Sequence, residues 1–194
     1  TKGTRTLWPD AGHHTILVGP RYREHIRDLF RTGKFTEDMS LYVHRPSVTD
    51  PSAAPPGDDT FYALSPVPHL GHAAADWSTF TDTYKHRVAT MLEPLLPCFR
   101  KLITTERVFT PETFRTRYLS PYGAGFSLEP RIFQSAWFRP HNVSEELPGL
   151  YLCGAGTHPG AGVPGVIGTA EILDQLIPPP AVRAATTPLP MAAE

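Results

Sequence analysis

The sequence predicts a mixed fold of the α+β type, closed by one α/β-like unit of strand, glycine loop and helix. Three observations carry this. Short strand-like and helix-like segments mix irregularly up to about residue 149, rather than in regular βαβ repeats. Proline is abundant, at 22 in 194 residues, which favours loops and short elements over long helices. From Leu150 the composition changes to an apolar run, then five glycines in twelve residues, then a helix-like segment ending near Ile177.

The elements follow in order. Thr1 to Gly12 is polar and irregular. Thr15–Val18 reads as a short strand broken by Gly19-Pro20. A helix is expected from Tyr22 to Phe30, with Ile26, Leu29 and Phe30 on one face and Gly33 as its stop. Ser40–His44 reads as a strand that ends before Pro46. Asp50–Asp59, with three prolines, a glycine and three aspartates, reads as a surface loop. Thr60–Val67 reads as a strand with neither face plainly polar, which suits burial on both sides.

Asp76 is placed to cap the longest helix, Trp77 to about Leu92. Trp77, Phe80, Tyr84, Val88 and Met91 recur at steps of three and four and form an apolar packing stripe. Leu102–Phe109 reads as a strand. Pro111–Tyr118 reads as a short helix with proline in its first turn. Ser120–Pro130 is a glycine-containing loop, and Ile132–Phe138 a strand candidate. Residues 178–194 are rich in Pro, Ala and Thr and are expected to be disordered.

Composition narrows the function. A net charge of −1 gives no electrostatic case for nucleic acid. Cys98 and Cys153 are the only cysteines, which suits a reduced cytoplasmic chain, with Cys153 as a small buried hydrophobe. No apolar run nears 18 residues, so no spanning helix is expected. His69 and His72 are spaced H-x-x-H, and His13 and His14 are adjacent. Neither pair has a companion Cys or carboxylate cluster at metal spacing, so no metal site is expected. No Ser–His–Asp set or carboxylate pair stands out, and no catalytic acid or base is assigned.

The glycine loop is the candidate site. Gly160-Ala-Gly-Val-Pro-Gly165 fits G-x-G-x-x-G, a weak match by itself. A dinucleotide fingerprint would continue to a second strand ending in an acidic residue. Here the helix expected from Val166 to Ile177 runs into Pro178-Pro179-Pro180. The loop therefore reads as one strand–loop–helix unit. Bare backbone and a helix N-terminus at one place suit an anionic or electron-rich ligand.

Gly154-Ala-Gly-Thr-His-Pro-Gly-Ala-Gly-Val-Pro-Gly-Val166 resembles the C-terminal signature of the bacterial and fungal-type phytoene desaturases, the carotenoid desaturase flavoenzymes. Leu17–Tyr22, Ser40–Pro46, Tyr62–Gly71, Val108–Glu112, Phe126–Pro130 and Gln134–Asn142 are similar to further family segments, in the family's order. The resemblance covers about Gly12 to Ile177. It implies a two-domain FAD-dependent flavoprotein of the glutathione-reductase or amine-oxidase type. Residues 1–148 would belong to a mixed substrate domain and 149–177 to the FAD-binding domain.

The implied activity is desaturation of phytoene, a long isoprenoid hydrocarbon, towards neurosporene or lycopene, by an enzyme in the cytoplasm with peripheral membrane contact. The implied FAD contacts are Gly154, Ala155, Gly156, Thr157, His158, Gly160, Gly162, Val163, Pro164 and Gly165. The Val163–Gly165 stretch would stabilise the charge of the reduced flavin. His158 would donate to the cofactor or order the loop. Many related flavoproteins carry an acidic residue near the position of Ala155 or Thr157, and none stands here.

The family's N-terminal FAD fingerprint is also missing. The expectation is therefore a C-terminal portion of a longer enzyme, inactive by itself. Two other readings stay open: a desaturase of another isoprenoid, such as dehydrosqualene or a hydroxylated carotenoid, and a non-catalytic prenyl-binding module on a similar fold. Flavin content separates the last from the others.

Overall fold

The computed structural model describes residues 1–73, 76–126, 128–129 and 131–179. The chain forms two compact units, Thr1–Gly125 and Phe126–Glu194. The residues 178–194 expected to be disordered lie, from 180 on, outside the described residues.

The first unit is built on an antiparallel sheet of order β1 (His14–Leu17), β2 (Leu41–His44), β3 (Tyr62–Leu64). The register sets His14 opposite His44 and Leu17 opposite Leu41, then His44 opposite Tyr62. Along β2, Leu41 and Val43 are buried while Tyr42 and His44 are half-exposed, the alternation a pleated strand imposes. β3 departs from the expectation of burial on both faces: Tyr62 is 48% exposed, and among the described residues β3 pairs only with β2.

Helix α1 (Tyr22–Arg27) runs into a π-helical turn, Asp28–Thr32, that Gly33 ends at φ 65. Helix α2 (Trp77–Leu92) starts as expected, with the Asp76 carboxylate accepting from Ser78 N at 2.9 Å. Its stripe packs on the core through Trp77, Phe80 and Tyr84, whose rings meet Phe35 edge-on at 4.9 to 5.7 Å. Leu92, Leu96 and Phe99 continue that core with Met39, Leu41 and Val43.

A second expectation in this unit fails. Leu102–Phe109 is no strand. A short helix, α3 (Phe99–Leu102), precedes an extended segment that pairs with nothing among the described residues, and a strand exists only through pairing. Thr1–Gly12 is irregular as expected, yet Thr4, Trp8 and Ala11 are buried. Trp8 stacks edge-on against Phe61 at 5.5 Å and donates to Pro97 O at 3.2 Å. Helix α4 (Pro111–Arg117) has proline in its first turn and a capping box between Thr110 and Thr113.

The surface loop ends in a buried polar centre. Asp59, 3% exposed, accepts from Arg45 (Nη2, 2.8 Å; Nε, 3.2 Å), Ser47 Oγ at 2.6 Å and Thr4 Oγ1 at 2.8 Å. Arg45 also donates to the carbonyls of Trp8 and Ala11. Burial pushes the Asp59 carboxyl up, but the hydrogen bonds from Arg45, Ser47 and Thr4 outweigh it and hold it below its ordinary range.

The second unit holds two 3-10 turns, Ile132–Gln134 and Ala136–Phe138, where a strand was expected. Ile132, Phe133, Trp137 and Phe138 are all more than half exposed, and these residues enter no sheet among the described residues. The expected strand at Leu150–Leu152 is reduced to one bridge, Tyr151 to Val143. The glycine loop follows, and then helix α5 (Val163–Leu176). No helix among the described residues is long and apolar enough to cross a membrane.

Candidate functional site

The glycine loop and the first turn of α5 form the candidate site. The helix begins at Val163, three residues earlier than expected, because Pro164 falls in its first turn and is tolerated there. Gly162 is the cap residue at φ 97 and ψ 153, with no side-chain cap. Val166 N bonds back to Gly162 O at 2.9 Å. The N–H groups of Val163 and Gly165 are left without intrahelical partners, and Pro164 has none to offer. Two donors at the positive end of a 14-residue helix thus stand at the loop.

The glycines have separate reasons. Gly162 has a backbone that L side chains avoid, although a Cβ there would meet open space. At Gly165 the reason is room: a Cβ would lie 2.5 Å from Gly160 O. Gly154 and Gly160 have φ of 117 and 137. Ala155-Gly156 form the tip of a turn closed by Thr157 N to Gly154 O at 3.1 Å.

Buried polar side chains hold this loop. Thr169, fully buried on α5, accepts from Gly154 N at 3.2 Å and donates to Val166 O at 2.7 Å. Thr157 Oγ1 donates to Gly154 O at 2.9 Å. Asn142 Nδ2 donates to Leu152 O at 3.1 Å, and Leu152 N returns a bond to Asn142 O at 2.8 Å. Arg139, 6% exposed, donates from Nη1 to Ala155 O at 2.6 Å. His158 sits beside Trp137, ring centroids 6.0 Å apart, with Nδ1 3.0 Å from Ala136 O. A carbonyl there requires the proton on Nδ1, so the neutral ring keeps Nε2 as an acceptor.

All ten residues from Gly154 to Gly165 singled out in the sequence therefore lie on one loop and helix start. Arg139 and Asn142 fall in Gln134–Asn142, one of the segments that resemble the family, but had no role of their own there, and Thr169 was missed. A buried Arg and Asn ahead of a glycine loop carry no periodic signal. Thr169 sits nearly two turns inside a helix, where threonine is unremarkable. Cys153, expected to be buried, is exposed, with Sγ 3.0 Å from Thr169 Oγ1.

Elsewhere in the first unit, an open cavity of about 650 Å³ is lined by Trp77, Tyr84, Val88 and Phe109 together with the charged Asp82, Lys85, Arg100, Glu106 and Arg107, among others. The histidines also differ from expectation. His44, delivered by the neighbouring strand, lies beside His13 and His14, a third imidazole that the sequence spacing does not show. Desolvation, then the nearby His14 and His44 rings, push the His13 pKa below its usual value. His69 and His72 have ring centroids 6.1 Å apart beside Tyr122.

Residues 5–172 match the family model of the flavin containing amine oxidoreductases. The chain is 67% identical over 180 residues to a phytoene desaturase (neurosporene-forming) of Rhodobacter capsulatus, covering 92% of this chain and 34% of that one. It is 62% identical over 179 residues to the neurosporene-forming phytoene desaturase of Cereibacter sphaeroides, covering 92% and 35%. A lycopene-forming phytoene desaturase of a Paracoccus species is 49% identical over 176 residues, covering 90% and 35%. The chain thus spans about one third of the length of the curated relatives it matches.

Proposed function

The chain belongs to the flavin-containing amine oxidoreductase family, and from that premise we propose that it serves FAD-dependent desaturation of phytoene, with neurosporene as product. The observation that carries the cofactor part is the loop: two unpartnered N–H groups, at Val163 and Gly165, beside a backbone stripped of side chains at Gly154, Gly156, Gly160 and Gly162. The substrate part rests on the two neurosporene-forming relatives at 67% and 62% identity.

The loop's residues fit a flat, partly anionic group. A Cβ at Gly154 or Gly162 would project into open space, so the glycines leave room for a ligand against the main chain. The Val163 and Gly165 amides would meet negative charge with the helix dipole behind them. FAD, when bound, supplies the electron acceptance that no side chain can, two electrons for each new double bond. Thr169 and Arg139 would fix the loop in shape before binding, and Ala155, Thr157, His158 and Pro164 would form its walls.

The substrate has no polar handle, so its recognition would rest on apolar burial, worth about 25 cal/mol per Å². The apolar part of that cavity's lining, Trp77, Tyr84, Val88 and Phe109, would take part of such a chain. We assign Thr1–Gly125 to substrate. The cofactor role goes to the loop from 149 on, with 126–148 grouped beside it through Arg139 and Asn142. An apolar substrate also favours peripheral contact with a membrane.

A chimera tests this reading: the Rhodobacter capsulatus relative with its matching third replaced by this chain, expressed in cells that supply phytoene. The expected outcome is neurosporene among the extracted pigments and bound flavin in the purified protein. In the same chimera, Gly162→Val is expected to abolish pigment. Accumulated phytoene from a folded, flavin-free chimera would overturn the proposal and favour a non-catalytic prenyl-binding role.

A further inference from the structure

We propose that His13, His14 and His44 form a binding site for a divalent late transition metal, with zinc as its representative ion. One ring nitrogen from each lies within 4.8 Å of the other two. The Nε2 atoms of His13 and His44 are 2.9 Å apart, so at least one of them presents a lone pair. Ligand nitrogens around a tetrahedral zinc, at Zn–N of 2.0–2.1 Å, stand about 3.3 Å from each other. The pair is within a few tenths of an ångström of that spacing.

The sheet builds the site. His14 and His44 are register partners across β1 and β2, which puts their side chains on one face. Their rings stack at 5.2 Å with 15° between planes. His13 is held at the strand's start by Arg45 N to His13 O at 2.9 Å. The Arg45 guanidinium itself is turned into the core towards Asp59, so no cation from that residue opposes a metal.

Two of the rings already have outer partners. His13 Nδ1 bonds Thr49 Oγ1 at 2.5 Å, and His14 Nδ1 bonds Tyr42 OH at 2.7 Å. Metal-ligating histidines characteristically engage the other ring nitrogen in this way, which fixes tautomer and orientation. Both rings therefore offer Nε2. Three imidazoles with no carboxylate disfavour calcium and magnesium, which require oxygen, and favour zinc, nickel or copper(II). The exposed His14 leaves the fourth position open to solvent. Such an ion would fasten β1 to β2 and belongs to no step of the flavin chemistry.

The test uses the untagged full chain, stripped with EDTA and titrated calorimetrically with zinc chloride. One equivalent of zinc is expected to bind, with a rise in Tm. His14→Ala and His44→Ala are each expected to weaken binding at least about 100-fold, and Tyr42→Phe by about 10-fold. His69→Ala is expected to change nothing. His14 is exposed, so its variant keeps the fold by circular dichroism in EDTA and carries the test even where His44→Ala does not fold. Absence of stoichiometric binding by the unmodified chain, or full binding by a folded His14→Ala, would overturn the site.

Discussion

The two units are held together by different physics. In Thr1–Gly125 ten apolar residues form one buried cluster, and polar burial is an addition to it. In the described residues after Phe126 no hydrophobic side chain is buried, while Arg139, Asn142, Thr157 and Thr169 are. Ile132, Phe133, Trp137 and Phe138 instead lie in water. The first unit folds by removing apolar area from solvent. The second owes its shape to directional hydrogen bonds around a glycine loop. A core tolerates some change in its members if volume is kept, whereas a hydrogen-bonded loop fails at single atoms.

The largest expected effect tests the polar centre of the first unit. Asp59→Asn leaves the Arg45 guanidinium buried without its counter-charge, and is expected to cost about 3–5 kcal/mol in urea unfolding followed by tryptophan fluorescence. An unchanged midpoint would mean that the apolar cluster alone sustains the unit. The same group sets an acid limit. Its folded pKa lies below the unfolded value of about 3.9, so its contribution is present above that pH and lost as pH falls through the folded value. Stability is expected to hold down to about pH 4 and then drop, with the drop reduced in Asp59→Asn.

The next effect is in the loop. Thr169→Val keeps volume but removes the acceptor for Gly154 N, and is expected to cost about 1–3 kcal/mol locally. Hydrogen exchange is expected to speed up at the Gly154 amide with the first unit unaffected. Equal loss of protection in α2 would break the division into two units. A smaller effect is expected at the α2 cap, where Asp76→Ala should cost about 1 kcal/mol by thermal unfolding. The smallest is Ile132→Ala. At 79% exposure it is expected to shift stability by less than about 0.5 kcal/mol, and a larger loss would show that this side chain is covered in solution.

What the sequence revealed divides along the same line. Helix α2 was legible because its cap and apolar stripe are local, each decided within four residues. The glycine loop was legible because its composition is extreme. Leu102–Phe109 and Ile132–Phe138 are not strands, since an apolar run rich in strand-forming residues also needs a partner strand. His44 lies 30 positions beyond His14, and only the β1–β2 register brings them together. Asp59 looked like a loop residue because its partners converge on it from two distant segments, Thr4 from one and Arg45 and Ser47 from the other.

The crossing of loop and helix has a stereochemical consequence. Two of the glycines must be achiral for unrelated reasons. At Gly162 the obstacle is handedness: φ 97 belongs to the mirror image of the usual backbone, so a D-residue made by chemical synthesis would relieve the torsion that an L-residue cannot. At Gly165 the obstacle is bulk, because the L-position of a side chain is already taken by the Gly160 carbonyl. A chirality scan would therefore read the loop as two positions with opposite answers, where an alanine scan would report the same loss at both.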